Sequence, residues 1–132
     1  VKQRASKNVK FKLSSPNNEE CLASVNVPLF EWVMENLLKN AIDAMEGTGD
    51  LSVQLISEKD IVYVDVSDSG KGIPKSKFKT VFEPGFTTKK RGWGLGLSLS
   101  KRIIENYHRG KIFVKKSDPE SGTTFRIVLN RQ

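Results

Sequence analysis

Apolar residues between positions 30 and 45 recur at intervals of three and four, which is the pattern of an amphipathic α-helix. Pro28 stands near the start of this stretch, and Gly47 and Gly49 stand near its end, where these residue types favour helix boundaries. We therefore predict a long first helix here. Its apolar positions are Phe30, Val33, Met34, Leu37, Leu38, Ala41, Ile42 and Met45.

The remaining hydrophobic patterns predict five strands and a second helix. "NVKFKL" (8–13) alternates like a strand, and "LSVQLIS" (51–57) and "IVYVDVSD" (61–68) form a hairpin around "EKD". Apolar residues from Leu95 to Tyr107 predict the second helix, and "KIFVKK" (111–116) and "TTFRIVL" (123–129) predict two final strands. This order predicts an α/β (α+β) two-layer sandwich, with helices on one face of a mixed, mostly antiparallel sheet of about five strands.

Residues 69–92 contain glycine, proline and lysine with little periodicity, and so long an irregular segment in a small domain is usually functional or mobile. In "RGWGLGLSLSK" (91–101), Gly92, Gly94 and Gly96 lead into the second helix, whose first N–H groups could bind phosphate. Their spacing matches neither the dinucleotide fingerprint nor the Walker loop. By itself this stretch fits a glycine-rich hinge as well as a nucleotide loop.

Length and composition indicate one globular domain over residues 1–132. Cys21 is the single cysteine, so no internal disulfide forms, as is usual in a reducing compartment. The sequence has no apolar run of membrane-spanning length and no signal peptide, so we expect a cytoplasmic domain without direct membrane contact. Because the chain begins at Val1, we expect it to be part of a larger protein. That parent protein could be anchored in the inner membrane by a segment outside this chain.

The formal net charge of +7 raises nucleic acid as a partner. Basic residues are concentrated in the first dozen positions and in 71–91, a distribution that suits a polyanion, a nucleoside triphosphate or an acidic protein face. A solvated basic surface explains the same residues. The chain lacks aromatic-rich strands of the RNA-recognition type and a clear recognition helix. We therefore expect no nucleic-acid partner.

Four polar residues, Asn36, Lys39, Asn40 and Asp43, share the face of the first helix opposite its apolar stripe. A solvated face would explain them. However, asparagine is a poor residue for the middle of a helix, and its amide oxygen is a hard ligand that suits Mg²⁺. A metal site on this face is the alternative interpretation.

The third strand ends in "DVSDSGKGIP", where Asp68 is followed by Gly70 and Gly72. A buried carboxylate at this position could accept a hydrogen bond from the exocyclic amine of adenine, and the glycines would let the main chain lie flat against the base. An ordinary turn rich in aspartate, serine and glycine explains the same residues equally well.

Five segments, taken together, separate these alternatives: "ENLLKNAIDAM", "DSGKGIP", "VFEPGFTTK", "GWGLGLSLS" and "GTTF". In order and spacing they resemble the N, G1, F, G2 and G3 boxes of one ATP-binding domain. That domain is shared by sensor histidine kinases, DNA gyrase, mismatch-repair ATPases and the large heat-shock chaperone. The resemblance covers residues 8–129 and implies a Bergerat-type fold, with an ATP lid that hinges at the three glycines.

The resemblance implies ATP and Mg²⁺ as ligands, with Asn40 holding the metal and Asn36 supporting it. Asp68 would bind the adenine amine, assisted by Thr123 through a water. Which cation neutralises the phosphates stays open among Lys39, Lys89, Lys90 and Arg91. The implied catalytic residues are Asn36, Asn40 and Glu35. The other implied ATP-binding residues are Asp43, Gly70, Gly72, Ile73, Phe82, Phe86, Thr87, Thr88, Gly92, Gly94, Leu95, Gly96 and Leu97, with Ile73 lining the base pocket and Phe82 and Phe86 anchoring the lid.

One position favours a kinase over a hydrolase. Hydrolysing members carry a glutamate base four residues before the metal-binding asparagine, and here that position is Asn36, whose amide is not a base. Glu35 lies about 100° further round the helix. The F box "FEPGFTTK" is also typical of histidine kinases. We therefore predict the catalytic domain of a two-component sensor histidine kinase, with an anti-sigma-type serine kinase or an ATPase of this fold as the alternative.

His108, the single histidine, is predicted to be structural, since it lacks the helical context of a phosphoacceptor. The resemblance then implies that the γ-phosphoryl group goes to a histidine on a dimerisation domain absent from this chain, and from there to a response regulator. We expect this domain alone to be a monomer and the parent kinase to be a homodimer.

Overall fold

The computed structural model describes residues 9–14, 25–83 and 96–130. Its strands are β1 (Val9–Ser14), β2 (Gly49–Ser57), β3 (Ile61–Asp68), β4 (Lys111–Asp118) and β5 (Gly122–Asn130). Its helices are α1 (Val27–Ala44) and α2 (Gly96–Arg102), and α2 continues into a π-helical turn, Ile103–Tyr107. Two 3₁₀ turns, Lys75–Lys77 and Thr80–Phe82, lie within the part of the predicted irregular segment that is described.

The five strands form one sheet in the order β1-β2-β3-β5-β4. Strands β1 and β2 are parallel, and the other three pairs are antiparallel. The predicted mixed, mostly antiparallel sheet is therefore confirmed, as is the β2–β3 hairpin. The ladder between β4 and β5 has an irregularity between Val114 and Lys116, which shifts the residues of β4 that follow it.

Both helices bury one face of this sheet. The apolar stripe of α1 supplies Val33, Leu37, Leu38 and Ala41 to a core shared with α2 and with alternate residues of β2, β3, β4 and β5. In the centre, Val64 faces Ile127 and Val66 faces Phe125 across adjacent strands. Each such side chain contributes roughly 1.5–3 kcal/mol by leaving water. The predicted two-layer arrangement follows from this burial.

Helix α1 begins at Val27, beside the Pro28 that marks its predicted start, and polar groups fix this boundary. Asn26 is the N-cap, and its side-chain oxygen accepts a hydrogen bond from the Leu29 N–H at 3.1 Å. Pro28 follows in the first turn, where its missing N–H costs nothing. The hydrophobic period could not reveal this boundary, since the capping residue is outside the apolar stripe.

The sequence predicts one regular second helix over 95–107, and this is wrong in its last turn. The α-helical part is Gly96–Arg102, after which the turn widens, and the His108 N–H donates to the Ile103 carbonyl five residues back, at 3.3 Å. The His108 ring meets the same carbonyl through Nδ1 at 2.9 Å. Two donors on one carbonyl favour the wider turn over the regular helical bond.

Candidate functional site

The carboxyl end of β3 holds a buried acid. Asp68 has 7% of its surface exposed and lies opposite Thr123 of β5, which has 3% exposed. Its Oδ1 accepts a hydrogen bond from the Gly70 N–H at 2.8 Å, and the Thr123 backbone N–H is a second donor. A carboxylate offers about four acceptor sites, so these two bonds leave capacity for a ligand.

Burial dominates the electrostatics of this acid. Desolvation raises the pKa of Asp68 above its ordinary value, and the hydrogen bonds from Gly70 and Thr123 oppose that rise only in part. Among the residues that the structure describes, no cation forms a salt bridge with it. Burial therefore destabilises the charged form of Asp68, and no cation among the described residues compensates its charge.

The loop after Asp68 is pressed against the end of α1. The Lys71 N–H donates to the Ala44 carbonyl at 3.3 Å, and a Cβ on Gly70 would lie 2.6 Å from the same oxygen. Only glycine permits this approach at position 70. Asn40 lies one helical turn, about 6 Å, before Ala44 on α1. The contact thus brings the helix that carries Asn40 next to the loop that follows Asp68.

The polar residues of α1 have different surroundings. Asn36 and Asn40 are half-buried, whereas Lys39 and Asp43 are exposed, and Glu35 is half-buried as well. Lys39, Asn40 and Asp43 all take part in interactions within the protein. The face predicted from sequence is therefore not simply solvated, since both of its asparagines are partly covered.

Asn36 contacts the start of the second helix. Its Nδ2 donates to the Trp32 carbonyl one turn back at 3.3 Å, while a Cβ on Gly96 would collide with its Oδ1. The missing side chain at Gly96 is what lets α2 begin against this amide. The first residue of α2 and the polar face of α1 are thus in direct contact.

Besides Glu35, Lys39, Asn40 and Asp43 of α1, the predicted site residues form three groups within the described part of the chain and one group outside it. The first group lies at the end of β3, in the loop that follows it and at the start of β5, and comprises Asp68, Gly70, Gly72, Ile73 and Thr123. The second group is Asn36 and Gly96, which meet where α1 contacts α2. Phe82 is buried in the core, edge-on to Phe125 with ring centroids 5.9 Å apart, and Leu97 packs against that core. Outside the described residues lie Phe86, Thr87, Thr88, Lys89, Lys90, Arg91, Gly92, Gly94 and Leu95.

Ser117 is a site residue that the sequence did not reveal. Its Oγ accepts a hydrogen bond from the Ile73 N–H at 2.6 Å and lies 2.7 Å from Thr123 Oγ1. Simple alternation after Ile112 and Val114 would put Lys116 on the inner face of β4. The irregularity before Lys116 puts Ser117 there instead, opposite Thr123. Ser117 could have been found only by predicting this bulge, and the alternation of residues in the sequence does not reveal it.

The described ranges 9–14, 25–83 and 96–130 contain neither a metal-binding cluster of acidic, histidine and cysteine side chains nor a membrane-spanning helix. No group of three or more histidine, cysteine, aspartate or glutamate side chains that could hold a metal ion occurs in them. Within those ranges, no helix is both long and apolar enough to span a bilayer.

Sheet order, the two packed helices and the buried acid at the end of β3 agree with one class of protein. The chain belongs to the family described as histidine kinase-, DNA gyrase B-, and HSP90-like ATPase, whose model matches residues 26–132. The predicted family is thus confirmed. The chain is an ATP-binding domain of this type.

Its relatives within the family are sensor kinases. The chain is 43% identical over 100 residues to sporulation kinase A of Bacillus subtilis (strain 168), a match that covers 76% of this chain and 16% of that protein. It superposes on the nucleotide-free catalytic domain of histidine kinase ThkA with a TM-score of 0.83 at 33% identity, covering 94% of this chain and 81% of that one. The similarity therefore confirms a catalytic domain of the histidine kinase type.

A third match is a structure of a kinase bound to another protein. Histidine kinase ThkA in complex with response regulator protein TrrA superposes with a TM-score of 0.79 at 30% identity, over 95% of this chain and 35% of that chain. The present chain thus spans a minor part of the curated relative and of this longer kinase structure.

Proposed function

We propose that this domain binds ATP with Mg²⁺ and transfers the γ-phosphoryl group to a histidine outside the chain, as the catalytic part of a two-component sensor kinase. The observation that carries the proposal is Asp68, a buried acceptor with no ionic partner among the described residues. A protein retains such a group at a stability cost when a ligand uses it.

Asp68 is assigned to the base of the nucleotide. The exocyclic amine of adenine is a hydrogen-bond donor and matches this acceptor, whereas the exocyclic carbonyl of guanine would oppose it. The packing of Gly70 against Ala44 holds the loop after Asp68 next to α1, the helix that carries Asn40. Half-buried Ile73 packs against the edge of the core and is assigned to line the base pocket.

The phosphates and Mg²⁺ are assigned to the polar face of α1, with Asn40 as a metal ligand. The fit rests on chemistry and position: Asn40 is a half-buried amide one turn from the loop that follows Asp68, and amide oxygens suit Mg²⁺. When bound, Mg²⁺ would neutralise charge on the phosphates and favour in-line transfer. Lys39, Lys89, Lys90 and Arg91 are the candidate cations for the remaining charge.

Kinase activity is favoured over hydrolysis by Asn36. Its Nδ2 is engaged with the Trp32 carbonyl and its oxygen lies against Gly96, so this side chain orients α2 and supplies no base for a water. Glu35 remains the carboxylate that could act as a base on α1.

The acceptor must come from elsewhere. His108 is buried, with 9% of its surface exposed, and both ring nitrogens are occupied: Nδ1 by the Ile103 carbonyl and Nε2 by the Asn26 N–H at 2.9 Å. Such a ring cannot attack a phosphate without breaking the end of α2. We assign the acceptor to a dimerisation domain of a homodimeric parent kinase. A response regulator is then the next acceptor, as the complex of ThkA with TrrA suggests.

Calorimetric titration with a non-hydrolysable ATP analogue, with and without Mg²⁺, tests nucleotide binding. We expect saturable binding that Mg²⁺ strengthens in the wild type. In Asn40→Ala the affinity without metal should persist and the strengthening by Mg²⁺ should disappear. Asn130→Ala, at an exposed asparagine that ends β5, is the matched control and should respond to Mg²⁺ like the wild type. An Asn40→Ala variant that keeps the full effect of Mg²⁺ would remove the metal assignment.

Phosphotransfer tests the reaction itself. Mixed with ATP and the dimerisation domain of its parent, the chain should produce acid-labile phosphohistidine there. Acid-stable phosphoserine, or steady ATP hydrolysis without transfer, would instead support the serine kinase or ATPase alternatives.

A further inference from the structure

A chain of three groups leads from the loop after β3 to the residue that faces the buried acid Asp68. The Ile73 N–H donates to Ser117 Oγ at 2.6 Å, and Ser117 Oγ lies 2.7 Å from Thr123 Oγ1. Thr123 in turn faces Asp68 across the β3–β5 ladder. Ser117 therefore joins the loop after Asp68 to the residue beside it.

Chemistry fixes the direction of the first of these hydrogen bonds, whereas the Ser117–Thr123 bond can run either way. The Ile73 N–H can only donate, so Ser117 receives it on a lone pair and still has its own hydroxyl proton to place. Ser117 can donate this proton to Thr123 Oγ1, 2.7 Å away, and this is the direction that the proposal below requires. With Ser117 donating, the hydroxyl proton of Thr123 is turned away from Ser117 and is available for an acceptor beyond the protein chain.

We propose that Ser117 is a positioning residue for nucleotide selection, which holds the Thr123 hydroxyl as a hydrogen-bond donor beside the acceptor Asp68. This proposal rests on the proposed function, since it takes the base to lie at Asp68. An acceptor next to a donor complements adenine, whose amine donates and whose N1 accepts. It opposes guanine, whose carbonyl accepts and whose N1 carries a hydrogen. The Thr123 hydroxyl acts on N1 directly or through one water.

The surroundings keep Ser117 in place. Gly72 lies so close to the end of β4 that a Cβ on it would be 2.7 Å from the Asp118 carbonyl. The loop and the strand are thus packed together directly beside the Ile73–Ser117 bond. A hydroxyl held this way has few alternative orientations, which is what a selective donor requires.

The test measures dissociation constants for ATP, GTP and purine riboside triphosphate, which lacks the 6-amino group, with the full chain and Mg²⁺. In Ser117→Ala, the Thr123 hydroxyl is free to turn and accept. We expect ATP binding to weaken about five- to tenfold and the preference for ATP over GTP to shrink by a similar factor. The preference for ATP over purine riboside triphosphate should persist, because it depends on Asp68.

Two further variants separate positioning from a general loss of structure. Ser67→Ala is the matched control, since Ser67 Oγ lies 2.8 Å from Thr124 Oγ1 in a similar serine–threonine pair, next in sequence to Asp68 and Thr123. It should leave all three affinities unchanged. In a Thr123→Val background, adding Ser117→Ala should not change the ratio of ATP to GTP affinity any further, because the hydroxyl that Ser117 orients is gone.

The outcomes distinguish this proposal from the one on which it rests. Ser117→Ala with unchanged affinities, or with equal losses for ATP and GTP, overturns the positioning role, and so does a further change of the ratio in the Thr123→Val background. Wild-type protein that binds ATP and GTP equally well overturns the assignment of Asp68 and the role of Ser117 with it. If Ser117→Ala does not fold, Ser117→Thr keeps the hydroxyl and must retain the preference for ATP.

Discussion

Two aspartates of β3, three residues apart, are both buried but have different surroundings. Asp65 has 4% of its surface exposed and Asp68 has 7%. Asp65 lies on the face of the sheet away from the helices, where Arg126 reaches both of its oxygens at 2.8 Å and Lys115 lies 3.6 Å away. Asp68 lies on the helix side and has backbone N–H groups as its hydrogen-bond donors.

The difference separates a structural acid from a candidate binding acid. The bidentate bond from Asp65 raises the pKa of the Arg126 guanidinium, and Arg126 also lies over the ring of Tyr63, with 4.2 Å between its Cζ and the ring centroid. Asp65 is thus fully used within the protein. Burial instead raises the pKa of Asp68, so its charged form is held at a cost. An acid kept in that state is the one that a ligand can stabilise.

The largest expected effect is the loss of stability when the ion pair between Asp65 and Arg126 is broken. Asp65→Asn removes the charge of the buried member of this ion pair and leaves the partly buried Arg126 guanidinium without its carboxylate partner, so we expect the free energy of unfolding to fall by about 1–3 kcal/mol. Urea denaturation measures this. Asp60→Asn, at an exposed position in the β2–β3 turn, is the control and should change stability by less than about 0.5 kcal/mol. Equal stability of the two variants would remove the distinction between the aspartates.

Asp68→Asn should weaken ATP binding without lowering the stability of the fold, the reverse of what we expect for Asp65→Asn. We expect ATP binding to weaken by about 1.5–3 kcal/mol, the usual contribution of a hydrogen bond to a charged group. The unliganded protein should be at least as stable as the wild type, because a buried charge is removed while an amide oxygen can still accept from Gly70. Calorimetry and thermal unfolding measure the two quantities. A variant that loses stability but keeps its ATP affinity would make Asp68 a second structural acid.

Most of the fold could be predicted from the sequence, because the helices and strands have clear apolar periods. The position of Asp68 was predicted too, since the residues of its motif are adjacent in sequence. The burial of Asp65 could not be, because its partner Arg126 is 61 residues away and joins it only through the β3–β5 ladder. Ser117 was missed for a related reason: a bulge in β4, invisible in the alternation of residues, brings it to Thr123.

His108, like Asp65, is a buried polar side chain whose hydrogen bonds are made within the protein. Its predicted structural role agrees with its two ring hydrogen bonds, which join the end of α2 to the start of α1. We expect His108→Ala to lower the free energy of unfolding by about 1–3 kcal/mol, because the Asn26 N–H loses its acceptor. ATP affinity of the folded protein should change less than about twofold. A stable variant that had lost phosphotransfer would contradict this assignment.

The smallest expected effect is on pH dependence. Because the pKa of Asp68 is raised in the folded state, the folded protein binds its proton more tightly than the unfolded chain does. This group therefore favours folding at acid pH, and its contribution is lost as pH rises from the ordinary aspartate pKa through the raised one. ATP affinity should change in the other direction and fall on acidification, since the amine needs an ionised acceptor.

Comparing the wild type with Asp68→Asn across this pH range isolates the effect of that carboxyl. The difference in unfolding free energy between the two proteins should depend on pH only in the acid range. A difference that does not change with pH would mean that the carboxyl titrates alike in the folded and unfolded states.

Nucleotide recognition in this proposal depends on a hydrogen bond from the amine of adenine to the carboxylate of Asp68. A crystal structure of this chain with a non-hydrolysable ATP analogue and Mg²⁺ tests it most directly. We predict that N6 of the base lies about 2.7–3.2 Å from an oxygen of Asp68. A nucleotide bound with its base elsewhere, and with that carboxylate left to the Gly70 and Thr123 N–H groups alone, would rule out Asp68 as the residue that binds adenine.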